Sequence, residues 1–160
     1  MINLIRDLRH NNFFIDSVFW KLLGNFYRGV IKIIPFDFSV KQEITNEFEF
    51  KFHARYAFSD FKEWGNKHNN FFNTYLNIAK KTKCFFDVGA HIGIVTLPVA
   101  KIIEGSGKIF SFEPSKNNLF YLKYHVKKNK LKNVQIIEKA VSSRNEHSSL
   151  YESDQPTGMS

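Results

Sequence analysis

The chain has 160 residues, the length of about one domain, and 43% of them are hydrophobic and 24% charged. This composition excludes a mainly disordered chain, a collagen-like chain and a simple linker. The single cysteine, Cys84, excludes an internal disulfide framework and a cysteine-based zinc knuckle. The net charge of +8 favours anionic partners such as nucleic acid, phospholipid or an acidic glycan, although a solvated basic surface is the more common meaning of such a charge.

The first part of the chain, residues 1–83, is predicted to form a helical and β extension. Within it, residues 2–34 have the apolar spacing of two amphipathic helices. Such helices either pack against a core or lie on a membrane surface, and we favour packing. Charged residues interrupt every candidate signal-peptide core, and no stretch approaches the ~18–20 apolar residues that a membrane span needs. We therefore expect a cytoplasmic protein without a transmembrane span, for which peripheral membrane contact stays open.

Two further segments of this extension have interpretable patterns. Residues 47–53 alternate strictly between apolar and polar side chains, and their three phenylalanines share one face. This pattern predicts a half-buried strand in a small antiparallel unit. Residues 59–82 are predicted to be largely helical, with an interruption at Gly65 or at the pair Asn69–Asn70.

After Lys83, predicted strands and helices alternate. The predicted elements are a strand at 84–88, a helix at 94–103, a strand at 108–112, a helix capped by Ser115 and a strand at 134–137. The first strand is a continuous apolar run, so we expect it to be a buried parallel strand. Pro98 is awkward inside the first helix, because proline removes a hydrogen bond beyond the first turn. The order β-α-β-α-β predicts an α/β fold with a Rossmann-like parallel sheet and right-handed crossovers.

Candidate binding residues follow the first two of these strands. The first strand leads into Asp87-x-Gly89-Ala90-x-x-Gly93, and Glu113 stands at the end of the second strand. Glycine at a strand-to-helix turn lets the backbone bend and lets a ligand approach without a Cβ in the way. A carboxylate at the tip of the neighbouring strand accepts hydrogen bonds from the hydroxyls of a ribose. The pair therefore predicts a nucleoside-containing ligand at the carboxyl ends of the strands.

The loop sequence distinguishes between two classes of nucleoside ligand. The dinucleotide fingerprint is G-x-G-x-x-G, whereas this loop reads Gly-Ala-His-Ile-Gly and is preceded by Asp87. A carboxylate in that position repels a pyrophosphate. S-adenosylmethionine has no phosphate, and its sulfonium and amino groups are cationic, so it is compatible with Asp87. A glycine loop alone is a weak signal, and tight turns without a ligand are the alternative explanation of Gly89 and Gly93.

Three segments of the chain resemble a known family. The sequences FFDVGAHIG, GKIFSFEPSKNNLFYL and NKLKNVQIIEKAVSS resemble the FkbM-type S-adenosylmethionine-dependent methyltransferases over roughly residues 84–145. The resemblance implies a Rossmann-like class I methyltransferase sheet, of which this chain supplies the first three strands. It also implies S-adenosyl-L-methionine as cofactor and O-methylation of a hydroxyl on a sugar, glycolipid or related metabolite. We accordingly expect residues 84–160 to be the N-terminal half of such a domain, truncated at Ser160 and with an exposed sheet edge.

The resemblance also implies which residues hold the cofactor. It assigns the methionine end of the cofactor to four residues of the first loop, Asp87, Gly89, Ala90 and Gly93. It assigns the ribose to Glu113. The segment after the third strand, at Lys139 and Ala140, would lie beside the adenine.

No catalytic residue is assigned from the sequence. An alcohol acceptor needs a base or a metal to remove its proton, and His91 in the glycine loop is the available candidate. We favour a role for its backbone instead, because nothing in the sequence places the ring at an acceptor oxygen. The other histidines lack metal-ligand spacing, so no metal site is predicted. Five lysines between residues 123 and 132 are interpreted as a solvated face that complements a helix dipole, in preference to a contact with an anionic substrate.

Two alternative functions stay open at this point. An RNA methyltransferase agrees with the charge and the glycine loop, but residues 1–83 contain no recognisable RNA-binding module. A non-catalytic module that binds the cofactor, or that completes its sheet with another polypeptide, is the rival from outside the enzymes. The expected partner is a small-molecule or glycan acceptor, RNA is the less favoured partner, and no DNA partner is expected.

Overall fold

The structure is a computed structural model. It describes Leu22 and residues 25–27, 29–30, 38–62, 64–65, 69–146 and 149–150. The chain forms two compact units that divide between Trp64 and Gly65. The helices predicted over residues 2–34 lie largely outside the described residues, and those described between Leu22 and Val30 are helical.

The first unit contains an antiparallel hairpin. Strand β1 (Ser39–Ile44) pairs with strand β2 (Phe48–His53), and a 3-10 helix (Ala54–Tyr56) follows. Residues Phe50 and Phe52 are buried in the core of this unit, as their shared face requires. The half-buried strand and its small antiparallel unit are therefore confirmed.

Helix α1 (Phe72–Ala79) belongs to the second unit and buries Phe72, Leu76 and Ala79 along one face. The helix predicted over residues 59–82 is correct only for this part, because the described residues before Phe72 are not helical. The interruption predicted at Gly65 or at Asn69–Asn70 is confirmed, since Gly65 has a φ of +93° and Asn69 a φ of +55°, which no α-helix accommodates.

The second unit then continues with alternating strands and helices. In chain order these are β3 (Cys84–Val88), α2 (Thr96–Ile102), β4 (Lys108–Phe112), α3 (Lys116–Lys128) and β5 (Val134–Ile137). The three strands form a parallel sheet in the order β3-β4-β5, in which Val88 pairs with Phe112 and Phe112 with Ile137. The predicted α/β class with a Rossmann-like parallel sheet is confirmed.

Two details of the helices bear on the sequence predictions. Pro98 is the third residue of α2 and lies within its first turn. Backbone N–H groups in the first turn have no acceptor inside the helix, so a proline there removes no helical hydrogen bond. Pro98 therefore does not destabilise α2, because the helix begins two residues later than expected. Ser115 caps α3 as predicted, and its hydroxyl accepts a hydrogen bond of 3.2 Å from the backbone N–H of Asn118.

The expectation that β3 is buried on both faces is wrong. Asp87 is only 8% exposed, but Phe86 and Val88, which point to the opposite face, are 61% and 60% exposed. The Phe86 ring stacks on Phe110 of β4 with a centroid distance of 5.3 Å, so the exposed apolar face continues across two strands. An apolar run shows that a strand is apolar on both faces, but it does not show that both faces are covered.

Candidate functional site

The candidate site lies where β3 and β4 end side by side. The backbone N–H groups of Gly89 and Ala90 both donate to the carbonyl of Phe112, each at 3.0 Å. The chain leaving β3 is thereby held against the last residue of β4, and Glu113 follows directly. The structure thus brings the glycine loop and the acidic residue together at the carboxyl ends of the strands.

Glu113 is only 5% exposed, and its carboxylate bridges two segments. Oε2 accepts a hydrogen bond of 2.7 Å from the backbone N–H of His91 in the glycine loop. Oε1 accepts from the backbone N–H of Ser115 at 2.9 Å and from Nδ2 of Asn118 at 3.3 Å, both at the start of α3. The backbone N–H of Glu113 donates to the carbonyl of Ile137 at 3.1 Å. The carboxylate is therefore fixed by three donors, and the backbone of Glu113 is bonded to the last residue of β5.

The two glycines of the loop have different surroundings. Both have a positive φ, +79° at Gly89 and +99° at Gly93, which disfavours any other residue. A Cβ added at Gly89 would meet no atom within 4 Å, so this glycine faces open space. A Cβ added at Gly93 would lie 2.9 Å from Cδ1 of Leu122 in α3. Gly89 leaves room for a ligand, whereas Gly93 lets α3 pack closely against the loop.

His91 contributes mainly through its backbone. Its φ of +52° is uncommon for a residue with a side chain, and this conformation directs its N–H to Glu113. Burial lowers the pKa of the imidazole, with the Glu113 carboxylate acting in the opposite direction, so the ring is neutral at physiological pH. A neutral imidazole can accept a proton, but the structure gives the ring no defined partner for that role.

The loop is poorly suited to bind a phosphate. Phosphate-binding loops present backbone N–H groups to the ligand. Here the N–H groups of Gly89 and Ala90 bond to Phe112, that of His91 bonds to Glu113, and that of Gly93 bonds to the carbonyl of Ala90 at 2.8 Å. Four of the five loop amides therefore have acceptors within the protein.

Asp87 belongs to a buried polar chain that joins three elements. Its Oδ2 accepts a hydrogen bond of 2.5 Å from the hydroxyl of Thr96, the first residue of α2. The Thr96 hydroxyl lies 2.9 Å from the hydroxyl of Ser111 in β4, and both residues are fully buried. Burial raises the pKa of Asp87, the hydrogen bond from Thr96 lowers it, and the nearby Glu113 carboxylate raises it further.

A second buried contact secures the loop from α3. His125 is fully buried, and its Nδ1 lies 2.8 Å from the carbonyl of Ile92. A carbonyl accepts, so this ring nitrogen carries the hydrogen. Together with Leu122 against Gly93, this bond holds the loop to α3 at two consecutive residues.

Four residues that support the site were not predicted from the sequence: Thr96, Ser111, His125 and Asn118. A signal existed for the first two, since each is a polar residue at an apolar position of its element, Ser111 in the strand Lys-Ile-Phe-Ser-Phe. The partner of His125 is 33 residues away in the chain, so no local pattern could have indicated it.

Ala140 is exposed, whereas Asp87, Ala90 and Glu113 of the candidate site are buried. It lies three residues beyond the end of β5. Its position at the carboxyl end of the sheet agrees with the expected side, and its proposed place beside an adenine stays a prediction.

The described residues contain neither a metal-binding cluster nor a membrane-spanning helix. Among them, no group of three or more histidine, cysteine, aspartate or glutamate side chains is placed to hold a metal ion. Within the same described ranges, no helix has the length and apolar character needed to cross a membrane.

Solved structures of methyltransferases resemble part of the chain. A SAM-dependent methyltransferase from Aquifex aeolicus is 21% identical over 42% of this chain and 37% of that one, with a TM-score of 0.38. TYW2 from P. horikoshii in complex with MeSAdo is 17% identical over 68% of this chain and 38% of that one, with a TM-score of 0.46. A SAM-dependent O-methyltransferase from Thermotoga maritima is 13% identical over 64% of this chain and 48% of that one, with a TM-score of 0.41.

The matched region spans less than half of each of these three proteins. No protein-family model matches the sequence, and no curated protein matches it.

Proposed function

We propose that this chain is the cofactor-binding part of an S-adenosylmethionine-dependent methyltransferase of the FkbM type, which methylates a hydroxyl on a sugar, glycolipid or related metabolite. The observation that carries the proposal is the pairing of an open glycine, Gly89, with the buried carboxylate of Glu113 at adjacent strand ends. The sequence resemblance supplies the family and the class of acceptor.

The residues present fit this cofactor better than a dinucleotide. Four loop amides already have protein acceptors, which removes the donors that a pyrophosphate needs. The Asp87 carboxylate near the loop favours a ligand with cationic groups. When bound, S-adenosylmethionine supplies an electrophilic methyl group on a positively charged sulfur.

Glu113 is the residue proposed to hold the ribose. A carboxylate has about four lone-pair positions, and three are taken by His91, Ser115 and Asn118. One position on Oε2 is left for a ligand hydroxyl. A second hydroxyl would displace the longest of the three bonds, the 3.3 Å contact from Asn118. The amide of Asn118 can then turn towards the ligand, which makes it a second proposed ribose contact.

The decisive experiment is calorimetric titration of the full chain with S-adenosylhomocysteine. We expect binding that Glu113→Ala weakens by about 100-fold, because the substitution removes charge-assisted hydrogen bonds to the ribose. The matched control is Glu104→Ala, which removes an exposed carboxylate beyond the end of α2 and should leave the affinity unchanged. Circular dichroism establishes that each variant is folded.

A folded chain that does not bind S-adenosylhomocysteine contradicts the proposal. Binding without transfer of a labelled methyl group to hydroxylated acceptors would favour the non-catalytic cofactor-binding module. A transfer to RNA that weakens steeply with salt would favour the RNA methyltransferase, since phosphate contacts release counterions.

A further inference from the structure

The two compact units differ in charge. Residues 65–160 contain fourteen lysines and arginines against seven acidic residues, a net charge of +7. Residues 1–64 contain nine against eight, a net charge of +1. Nearly all of the basic excess therefore belongs to the unit that contains the parallel sheet.

Six exposed lysines of this unit lie at the end where the parallel strands begin. Lys83 directly precedes β3, and its carbonyl accepts a hydrogen bond of 2.9 Å from the N–H of Lys108, the first residue of β4. Two more lysines follow the last residue of α1, and two lie in the connection from α3 to β5. We call this set the basic edge: Lys80, Lys81, Lys83, Lys108, Lys130 and Lys132.

The register of the sheet aligns these segments at one level. The carbonyl of Asn133, next to Lys132, accepts a hydrogen bond of 2.9 Å from the N–H of Ile109, next to Lys108. The side chain of Asn133 also donates to the carbonyl of Ala100 near the end of α2, at 2.8 Å. The segments that contain Lys83, Lys108 and Lys132 are therefore joined by backbone hydrogen bonds, and the last of them is also bonded to α2.

The basic edge is separate from the candidate cofactor site. That site lies at the opposite ends of the same strands, about 15 Å away along the five residues of β3 at ~3.3 Å per residue. A small ligand held by Gly89 and Glu113 does not reach these lysines. The inference drawn from them is consequently independent of the proposed methyltransferase function.

The positive charge at this edge exceeds what the fold requires. Lysines commonly complement the negative ends of helices, and α1, α2 and α3 all end at this level. Three helix ends supply about one and a half negative charges in all, at about half a charge each, against six lysines. Between residues 69 and 138, the described carboxylate at this level is Glu104, which pairs with Lys101 at 2.7 Å.

We propose that the basic edge docks this chain on an anionic phospholipid surface. The charge needs a partner with many negative groups, because the six lysines come from three different connections. A single nucleic-acid strand is less suited, since proteins that bind single strands combine a basic groove with exposed aromatic rings on which the bases stack. The exposed aromatic rings described in this unit lie elsewhere: Phe71 before α1, Phe86 within β3 and Phe120 in the first half of α3.

An exposed aliphatic residue among the lysines also favours a lipid surface. Ile78 lies in the last turn of α1, two residues before Lys80, and is 50% exposed. Lysines that follow an exposed apolar side chain in the chain are typical of protein segments that lie on membranes, where the apolar group enters the interface. Each lysine near an anionic bilayer strengthens the attraction severalfold.

The experiment is co-sedimentation of the full chain with vesicles of phosphatidylcholine alone and of phosphatidylcholine with 30% phosphatidylglycerol, about a third anionic lipid. We expect binding to the anionic vesicles only, and loss of that binding as the salt concentration rises. The triple variant Lys80→Gln, Lys81→Gln, Lys132→Gln should bind at least about tenfold more weakly.

The matched control is the triple variant Lys41→Gln, Lys51→Gln, Lys62→Gln, which replaces three exposed or half-exposed lysines of the first unit. It lowers the net charge of the chain by the same amount as the first triple variant. It should bind the vesicles like the unaltered chain. Equal weakening in both variants would overturn the proposal, because net charge alone would then explain binding. Absence of vesicle binding, together with edge-dependent binding of an oligouridylate, would also overturn it and identify nucleic acid as the partner.

Discussion

Leu122 of α3 packs directly over Gly93 of the glycine loop, so that a Cβ at Gly93 would lie 2.9 Å from Leu122 Cδ1. This distance is too short for two carbon atoms in contact, whose optimum is about 3.5–4.0 Å. The close approach of α3 to the loop therefore depends on the absence of a side chain at this position. It also brings the start of α3, with Ser115 and Asn118, to the carboxylate of Glu113.

The first prediction concerns the two glycines of the loop. Gly93→Ala should lower the free energy of unfolding by about 2–4 kcal/mol, from overpacking against Leu122 and from the positive φ. Gly89→Ala should cost only about 1–2 kcal/mol, because the added Cβ faces open space and only the backbone is strained. Urea unfolding measures both. Equal losses for the two variants would contradict the packing described here.

The same pair should behave differently towards the ligand. Gly89 faces open space at the candidate site, so the Cβ of Gly89→Ala would occupy space proposed for the ligand. This variant should therefore weaken S-adenosylhomocysteine binding although it lowers the free energy of unfolding only slightly. Calorimetry at a temperature where both variants are folded separates the two effects.

The second prediction follows from the raised pKa of Asp87. Because its pKa is higher in the folded chain than in the unfolded one, the folded state binds the proton more tightly. The free energy of unfolding should therefore fall as pH rises from below the ordinary aspartate range through the raised pKa. Asp87→Asn removes this ionisation and should raise the free energy of unfolding at neutral pH.

Asp87→Asn should at the same time weaken binding of S-adenosylmethionine, since a neutral amide no longer attracts its cationic groups. Urea unfolding between pH 4 and pH 7, paired with calorimetry, tests both effects in one variant. Asp60→Asn, at an exposed aspartate in the first unit, serves as the control. A loss of stability at pH 7 in Asp87→Asn would show that the carboxylate stabilises the fold and would contradict this account.

The third prediction concerns His125. His125→Leu removes the donor to the carbonyl of Ile92 and should weaken S-adenosylhomocysteine binding by about tenfold, since the loop loses one buried hydrogen bond of about 1–2 kcal/mol. His125→Asn places an amide nitrogen close to the position of Nδ1 and should restore most of the affinity. If both variants bind equally, the hydrogen bond does not position the loop.

The fourth prediction concerns the exposed face of β3. Phe86→Ala should lower the free energy of unfolding by less than about 1 kcal/mol, because the ring is 61% exposed. Phe72→Ala, at a fully buried ring in the same unit, should cost about 3–5 kcal/mol. Sedimentation velocity should also show less self-association for Phe86→Ala, since an exposed apolar patch and sheet face promote it.

The sequence predicted the part of this fold that local patterns encode. The strands around Phe86, Ile109 and Ile136 were found from apolar runs between turns, and the cap at Ser115 from its residue type. Which face of each strand is covered by other elements was not predictable in the same way. The exposed ring of Phe86 and the half-buried ring of Phe110 belong to strands with the composition of buried strands, and only the arrangement of neighbouring elements shows which face is covered.

The proximity of Glu113 to the glycine loop was predictable from the sequence, but the contacts that hold these residues in place were not. Glu113 and the glycines were found because a strand-to-helix turn and a strand tip have fixed places in a parallel sheet. The contacts that fix these residues join distant parts of the chain: Thr96 to Asp87, Thr96 to Ser111, and His125 to Ile92. Each depends on the packing distance between a helix and a strand, which no local pattern contains.

The hydrogen bond from the His91 amide to Glu113 makes the amide proton of His91 a spectroscopic probe of ligand binding at this carboxylate. The amide nitrogen of His91 lies only 2.7 Å from a carboxylate oxygen, so its proton is strongly deshielded and its resonance should stand well downfield of the other backbone signals. A hydroxyl that arrives at the same carboxylate draws charge from that bond, and the resonance should move upfield in proportion to occupancy. The nuclear magnetic resonance spectrum of the nitrogen-15-labelled chain would therefore record the arrival of a ligand at Glu113 even when the binding releases little heat.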